Sequence, residues 1–439
     1  YLNANNVSLL LKNTQAITLA PPAIDECDIR IDDGEVVDCA RHLRPKGEDE
    51  VVDLRNRIVL PGFVCSHTHL YSSLARGMPA PTSAPINFLE ILQKVWWKLD
   101  KALDEEAIYY SALVGAIESV KFGTTTLIDH HASPNFISGS LDLIKHAMCQ
   151  IGLRGILCYE TTDRGGKRRR DLGLKENDRF VTENTSNAHF RGTIGAHAQF
   201  TLSDDSLLCL GELAAMYDCG VHIHVAEDKS DVVNAHKKHK IDIVERLGKF
   251  GILRKKSLIV HGVHLSKMQL ASIKRSGAWM IHNPRSNMTN AVGHAPLNWY
   301  GEHAALGTDG FPADMFQESK FGYFRDAESA SPVAFSRIPE MLHNGQRLAS
   351  EFFGRPFGRV EKGCPADLVV LDYRPPTPLT SRNLQAHFLF AMNSSMIQHV
   401  IVNGNKIVWN KQLVGIDEDE VMRKASRVAK KLWSRMNGK

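Results

Sequence analysis

The sequence predicts an α/β protein: a (β/α)8 barrel of the TIM type accompanied by a small composite β-sandwich domain formed by both termini. Three observations carry that prediction. Residues 58–357 alternate apolar, β-branched runs with helix-patterned segments, as the βα units of a parallel sheet do. Eight such runs in about 300 residues match the count and size of a barrel. The flanks, 1–57 and 358–439, read instead as short strands joined by tight turns, so the chain divides into a barrel domain and a domain built from its two ends.

In chain order, "VSLLLKN", "CDIRIDDGEVVDCA" with an Asp-Gly turn at 33–34, and "VVDLRNRIVL" open the terminal domain. The barrel runs follow as "IVLPGFVCSH", "TTTLIDH", "LRGILCYE", "RGTIGAH", "GVHIHVAE", "SLIVHG", "GAWMIHN" and "HAALGTD". The terminal domain resumes with "KGCPADLVVLDY" and with "IQHVIVNGNKIVWNKQLV", where Asn403-Gly404 is a strong hairpin signal. Val421, Ala425, Val428 and Leu432, spaced by three or four, predict an amphipathic helix over roughly 418–436.

Bulk properties narrow the function classes. A chain of 439 residues with a net charge of +4 has no stretch apolar enough to span a bilayer and no broad basic surface for nucleic acid. The run Lys167, Arg168, Arg169, Arg170 lacks interleaved aromatics and reads as a solvated helix or loop face. The start shows no signal-peptide pattern, and eight scattered cysteines without CxxC pairs suit a reducing compartment, so the expectation is cytoplasmic. No GxGxxG after a strand, no GxxxxGK[ST] and no GxSxG is present, which removes the dinucleotide, P-loop and serine-hydrolase geometries.

The barrel runs end on groups that bind protons, metals or ligands: His67 and His69, Asp129 with His130, Glu160, His197, His224 with Glu227, His261, His282 with Asn283, and Asp309. In a barrel these endings converge at the C-terminal mouth, where active sites of this architecture sit. A single strand-end histidine is more often a hydrogen-bonded structural residue; eight polar endings aimed at one place are hard to explain by packing. His67 and His69, two apart on a strand, point the same way. With His224 and Asp309 they make a donor set for one divalent ion that leaves a position for water. An ion there lowers the pKa of water, and a proton carrier is then needed. Glu227, three residues past His224, fits that task, although a carboxylate at a helix start is the plainer reading. His261 would orient the nucleophile or polarise the bond, and Asp309 would accept a proton as well as hold the metal.

At these residues the chain resembles the amidohydrolase superfamily over nearly its whole length, through "PGFVCSHTH", "HVAE", "HGVHLS", "HNPRSNM" and "LGTDG". The branch it resembles contains the triazine hydrolases, guanine deaminase and deaminases of purine nucleosides. The resemblance implies a distorted TIM barrel, a β-sandwich from both termini, and one metal per chain, zinc or sometimes iron, on His67, His69, His224 and Asp309. It implies proton transfer by Glu227 and His261, and substrate contact by His197. Barrels of this family are often dimers, which makes the terminal helix a candidate interface. The fourth strand, "RGTIGAHAQF", has no lysine, so a two-metal site is disfavoured. Asn283 stands where many relatives of the branch place cysteine, a difference expected at the rim of the site.

The reading that follows is a metal-dependent hydrolase of C–N bonds other than peptides, an aminohydrolase acting on a small nitrogen heterocycle. His197, Glu160, Arg76, Arg285 and Asn287 are the candidate substrate contacts, with Trp96 and Trp97 as ring-stacking candidates of which at least one is expected in the core. Arg285 and Asn287 have the alternative of bracing the loop after the seventh strand. The rival readings are a dechlorinase using the same hydroxide, a non-catalytic assembly subunit, and a metal-storage or sensing protein.

Overall fold

The structure is a computed structural model and describes residues 8–47 and 49–438. Residues 1–7, which carry most of the start read as lacking a leader pattern, lie outside the described residues.

All eight barrel runs form strands: β1 (Phe63–Thr68), β2 (Thr124–His131), β3 (Arg154–Tyr159), β4 (Phe190–Gly192 with Ile194–Ala198), β5 (Val221–Val225), β6 (Leu258–His261), β7 (Trp279–His282) and β8 (Ala304–Leu306). Every neighbouring pair within the two arcs β1–β4 and β4–β8 is parallel. The barrel is distorted because its two arcs meet only through single bridges, Thr161 with Ala196 on one side and Thr68 with Asp309 on the other. The second bridge lies at the mouth, where Thr308 N donates to the His67 carbonyl at 2.8 Å and His69 N to the Asp309 carbonyl at 3.1 Å. The last strand is thereby tied to the His67–His69 segment.

Inside the barrel, below the polar endings, Val64, Ile128, Ile156, Leu258, Val260, Trp279, Ile281 and Ala305 form an apolar plug. Leu348, Ala349, Phe352 and Phe353 of the helix Arg337–Phe353 seal it from underneath. Apolar residues on the other face of each strand pack against the surrounding helices.

The terminal segments form one mixed sheet of nine strands rather than two separately paired sheets. The physical reason is the long strand Leu9–Leu19, which pairs parallel with Glu50–Asp53 through its first half and with Ile58–Pro61 through its second. A register shift between Leu11 and Thr14 separates the halves, so one strand serves two parallel partners in turn. Leu9, Leu11, Ile29, Val36, Val59, Leu368, Val370 and Ile401 fill the space enclosed. Ile58–Pro61 also pairs antiparallel with Leu368–Leu371, joining the two ends of the chain immediately before β1. Both turn signals are realised, with Asp33, Gly34, Asn403 and Gly404 all at positive φ.

The amphipathic helix forms at Glu418–Met436, with Val421, Ala425, Val428 and Leu432 buried. It packs on the barrel-side helices Glu105–Lys121 and Trp97–Ala102 rather than on the terminal sheet. Its apolar stripe is therefore covered by its own chain. Among the described residues no helix is long and apolar enough to cross a membrane, and all eight cysteines are free.

Candidate metal centre and active site

Several backbone irregularities aim the strand-end side chains inward. In β1 the pairing with β2 is irregular between Cys65 and Thr68, so that Val64 faces the barrel interior and His67 and His69 do too. In β6 the interior residues are Leu258 and Val260, and simple alternation would send His261 outward with Ile259. A left-handed backbone at His261, φ 72°, turns it in instead. Asp309 is likewise left-handed, φ 55°. Positive φ at residues other than glycine costs about 1 kcal/mol or more, and such cost concentrates at functional sites. Gly307, in "LGTDG", has a steric reason: a β-carbon there would lie 2.4 Å from Asn283 Oδ1 and 2.8 Å from His67 Cβ.

The donor atoms converge. His69 Nε2 lies 3.1 Å from Asp309 Oδ1 and 3.3 Å from His224 Nε2, and His67 Nε2 lies 3.9 Å from Asp309 Oδ1. Those separations are the size of the edges of a coordination shell built from bonds of about 2.0–2.2 Å. His69 Nδ1 donates to the His130 carbonyl at 2.6 Å and His224 Nδ1 to the His197 carbonyl at 2.9 Å, which leaves Nε2 of each ring with a free lone pair. His67 Nδ1 sits 2.8 Å from His222 Nε2, while its own Nε2 is buried without a hydrogen-bond partner. His261 Nδ1 donates to Asn287 Oδ1 at 2.8 Å, and its Nε2 is also buried without such a partner, 3.7 Å from Asp309 Oδ2. Buried nitrogens without a hydrogen-bond partner cost stability unless something binds them. The set fits a divalent cation held by imidazole and carboxylate.

Glu227 Oε2 lies 3.5 Å from His261 Nε2, and Asn290 Nδ2 donates to Glu227 Oε1 at 3.1 Å. Burial pushes the Glu227 carboxyl up to about 7. Asp309 Oδ2 accepts from Ser286 Oγ.

These groups border a cavity whose walls include His69, His224, Glu227 and Asp309 together with Phe88, Leu92, Trp96, Trp97, Asp100, Glu160, His197 and Phe200. A π-helical turn over Leu92–Trp96 joins the helices Phe88–Ile91 and Trp97–Ala102. Both tryptophans line the cavity, and Trp96 also packs against the hydrophobic core, as expected of at least one of them.

Of the predicted site residues, His67, His69, His224, Glu227, His261 and Asp309 come together around one point, and His197 and Glu160 line the cavity. Three do not. Arg76 turns away to pair with Glu118, Arg285 is bound to Glu318 and to the Pro312 carbonyl, and Asn287 supports His261 from behind. Arg285 and Asn287 thus brace the loop after β7. Asn283 is not at the rim: it is fully buried, with Nδ2 3.4 Å from His261 Nδ1. Residues that sequence reasoning passed over include His222, behind His67, as well as Asp100, Ser286 and Asn290. His222 had a legible signal, since it lies two before His224 on the same strand face.

The amidohydrolase family profile matches residues 58–407, most of the chain. The chain belongs to the amidohydrolase family. A 5-methylthioadenosine/S-adenosylhomocysteine deaminase of Thermococcus sibiricus is 27% identical to this amidohydrolase over 411 residues, covering 92% of this chain and 94% of that one. A 5'-deoxyadenosine deaminase of Methanocaldococcus jannaschii is 26% identical over 390 residues, covering 86% and 90%. Among solved structures, an adenosine deaminase from Xanthomonas campestris with bound zinc superposes with a TM-score of 0.84 at 20% identity, covering 97% of this chain and 98% of that one. The last likeness establishes the shared fold, a TIM barrel joined to a mixed sheet of N- and C-terminal strands.

Proposed function

We propose that this amidohydrolase is a metal-dependent aminohydrolase that removes an amino group from a nitrogen heterocycle, with adenine-type nucleosides as the first substrates to test. The observation that carries it is the pair of buried, unpartnered imidazole nitrogens, His67 Nε2 and His261 Nε2, facing Asp309 beside the cavity that holds Glu227. His67, His69, His224 and Asp309 would hold one divalent ion, zinc or iron. When bound, such an ion supplies Lewis acidity that makes water a nucleophile near neutral pH.

Replacing a ring amine by oxygen breaks a C–N bond, forms a C–O bond and sends both water protons to substrate nitrogens. Glu227 carries a proton along that path: it borders the cavity, and Asn290 fixes one of its oxygens while the other faces His261. His261, oriented by Asn287, presents Nε2 where it directs the attacking water or the bond under attack. Asp309 takes the first proton on Oδ2, the oxygen already shared with Ser286. The aromatic wall excludes water from the ring.

The relatives named as deaminases of methylthioadenosine, adenosylhomocysteine and deoxyadenosine support the adenine-type reading. The segments "WWKLD", "IDHHASP", "ETTDR", "IGAHAQF" and "RSNM" resemble the aminohydrolase SsnA, whose substrate is unsettled; the branch also contains guanine deaminase, so the substrate panel extends to free aminated purines. The test is ammonium release by zinc-loaded protein from 5'-deoxyadenosine, adenosine, methylthioadenosine and guanine, with atrazine as the chloride-releasing control. Ammonium formation that disappears in Glu227→Gln is the expected result. Chloride without ammonium would favour the dechlorinase, and no turnover by metal-replete protein would favour the scaffold reading.

A further inference from the structure

The helix Met315–Ala327, which follows β8, keeps aromatic side chains on its solvent face. It turns Phe316, Ser319, Gly322 and Asp326 inward, while Gln317, Phe321, Phe324 and its C-cap Glu328 form an exposed stripe at spacings of three and four. Beside that stripe stand Phe335, in the turn before the helix Arg337–Phe353, and Phe390, which ends the helix Leu384–Phe390. The rings touch: Phe390 lies 5.9 Å from Phe335 and 6.3 Å from Phe324 between centroids, and Tyr323 contacts all three at 5.3–5.5 Å. Phe321 is 42% exposed, Phe324 52%, Phe335 37% and Phe390 55%. Nearly half of four rings of ~200 Å² each therefore stays in water, about 400 Å² in all. Exposed apolar residues scattered singly are ordinary, but a contiguous patch of that size is one that functional surfaces have. It is also close to the apolar share, ~450 Å², of a standard interface of ~800 Å² per partner.

The charges on the stripe indicate what the patch fits. Lys320 and Glu328 lie four residues before and four after Phe324, so the three share one face of the helix. A two-fold axis over Phe324 that sets the helix antiparallel to its copy brings each Lys320 opposite the copy's Glu328, so the ion pair forms twice, and places the two Phe324 rings together at the centre. Antiparallel helices also oppose their dipoles favourably. Glu328 is free to turn outward: its side chain is 75% exposed, and among the described residues its ion pair is with Arg325 at 3.5 Å. We propose that this aromatic face is the homodimer surface of the chain, with two copies packing their Met315–Ala327 helices antiparallel about a two-fold at Phe324. The surface lies on a different helix from the terminal one, and its assignment does not depend on the aminohydrolase reading.

The experiment is sedimentation velocity of the whole chain over ~0.1–100 µM, with melting temperatures measured beside it. The wild type is expected to dimerise with a Kd of about 10 µM or tighter. Phe324→Glu, which sets two carboxylates on the axis, should weaken dimerisation at least about 30-fold. Lys320→Glu and Glu328→Lys should each weaken it about 3–10-fold, because each creates two like-charge contacts in its own dimer. Mixed in equal amounts, the two single variants should regain wild-type affinity, since every contact in the mixed dimer pairs opposite signs. A variant that had merely lost its fold would gain nothing by mixing. Phe324→Glu that still dimerises like wild type, or charge variants that self-associate as tightly as wild type, would overturn the two-fold at Phe324. A wild type that stays monomeric at about 100 µM would overturn the homodimer and leave the aromatic face to a different protein.

Discussion

The two ends of the barrel handle buried polarity in opposite ways. At the bottom, Arg154 is fully buried and every part of its guanidinium is used: Nε bonds Asp367 Oδ2 at 2.8 Å, Nη1 the Ala188 carbonyl at 3.0 Å, and Nη2 Asn403 Oδ1 at 2.6 Å. Asp367 also accepts from Asn403 N, so the start of β3 is locked to the terminal sheet. At the mouth, His67 Nε2, His261 Nε2 and Asp100 Oδ1 are equally buried and have no hydrogen-bond partner. A satisfied buried charge holds a structure together, whereas a cluster of unsatisfied ones is tolerated where a ligand completes it.

Mutations at the two ends should separate along that line. His67→Ala is expected to take metal content from about one ion per chain to near none and to lower turnover by about three orders of magnitude or more, with the fold retained. Metal analysis beside circular dichroism checks it, and a variant that keeps its ion would break the comparison. Asp367→Ala at the bottom should do the reverse, costing about 3–5 kcal/mol in urea denaturation by stranding Arg154 while leaving metal stoichiometry intact. Gly307→Ala sits at the mouth without being a donor: its methyl group must displace Asn283 or the His67 backbone, and activity should fall about 10–100-fold from that displacement alone.

A smaller effect belongs to the terminal sheet. Although burial opposes it, the Arg30 guanidinium pulls the Asp49 carboxyl down to about 2, below its value of about 3.9 in an unfolded chain. Because the folded value is the lower one, the stabilisation is complete above pH ~4 and is lost as pH falls from ~4 towards ~2. Asp49→Asn should flatten that part of the stability–pH curve while changing the neutral-pH activity little. The smallest change is expected of Arg76→Ala, which removes a partly exposed pair with Glu118 worth less than about 1 kcal/mol and no cavity contact, so kcat/KM should stay within about twofold.

The candidate donors were legible in the sequence because residue type and strand period are local properties. His67 and His69 two apart, "HVAE" and "LGTD" each announce themselves within a few residues. Arg285 and Asn287 stayed open between substrate contact and loop bracing for the same reason: proximity to a strand end does not say whether a side chain faces the cavity or the loop that supports it. His222 escaped notice because its role exists only through His67, 155 positions away.

By itself, then, the sequence determined the eight strands with their polar endings, the two-ended terminal sheet and the chemical types available at the mouth, since each follows from periodicity and turn residues in short windows. The tertiary structure alone decided which of those groups remain unpaired. Whether His67 Nε2 has a hydrogen-bond partner, whether His261 faces inward despite its strand parity, and whether Glu160 and His197 meet in one cavity all depend on backbone irregularities and on contacts between residues tens to hundreds of positions apart. Hydrogen-bond satisfaction is a sum over all neighbours in space, and no window of the chain contains that sum.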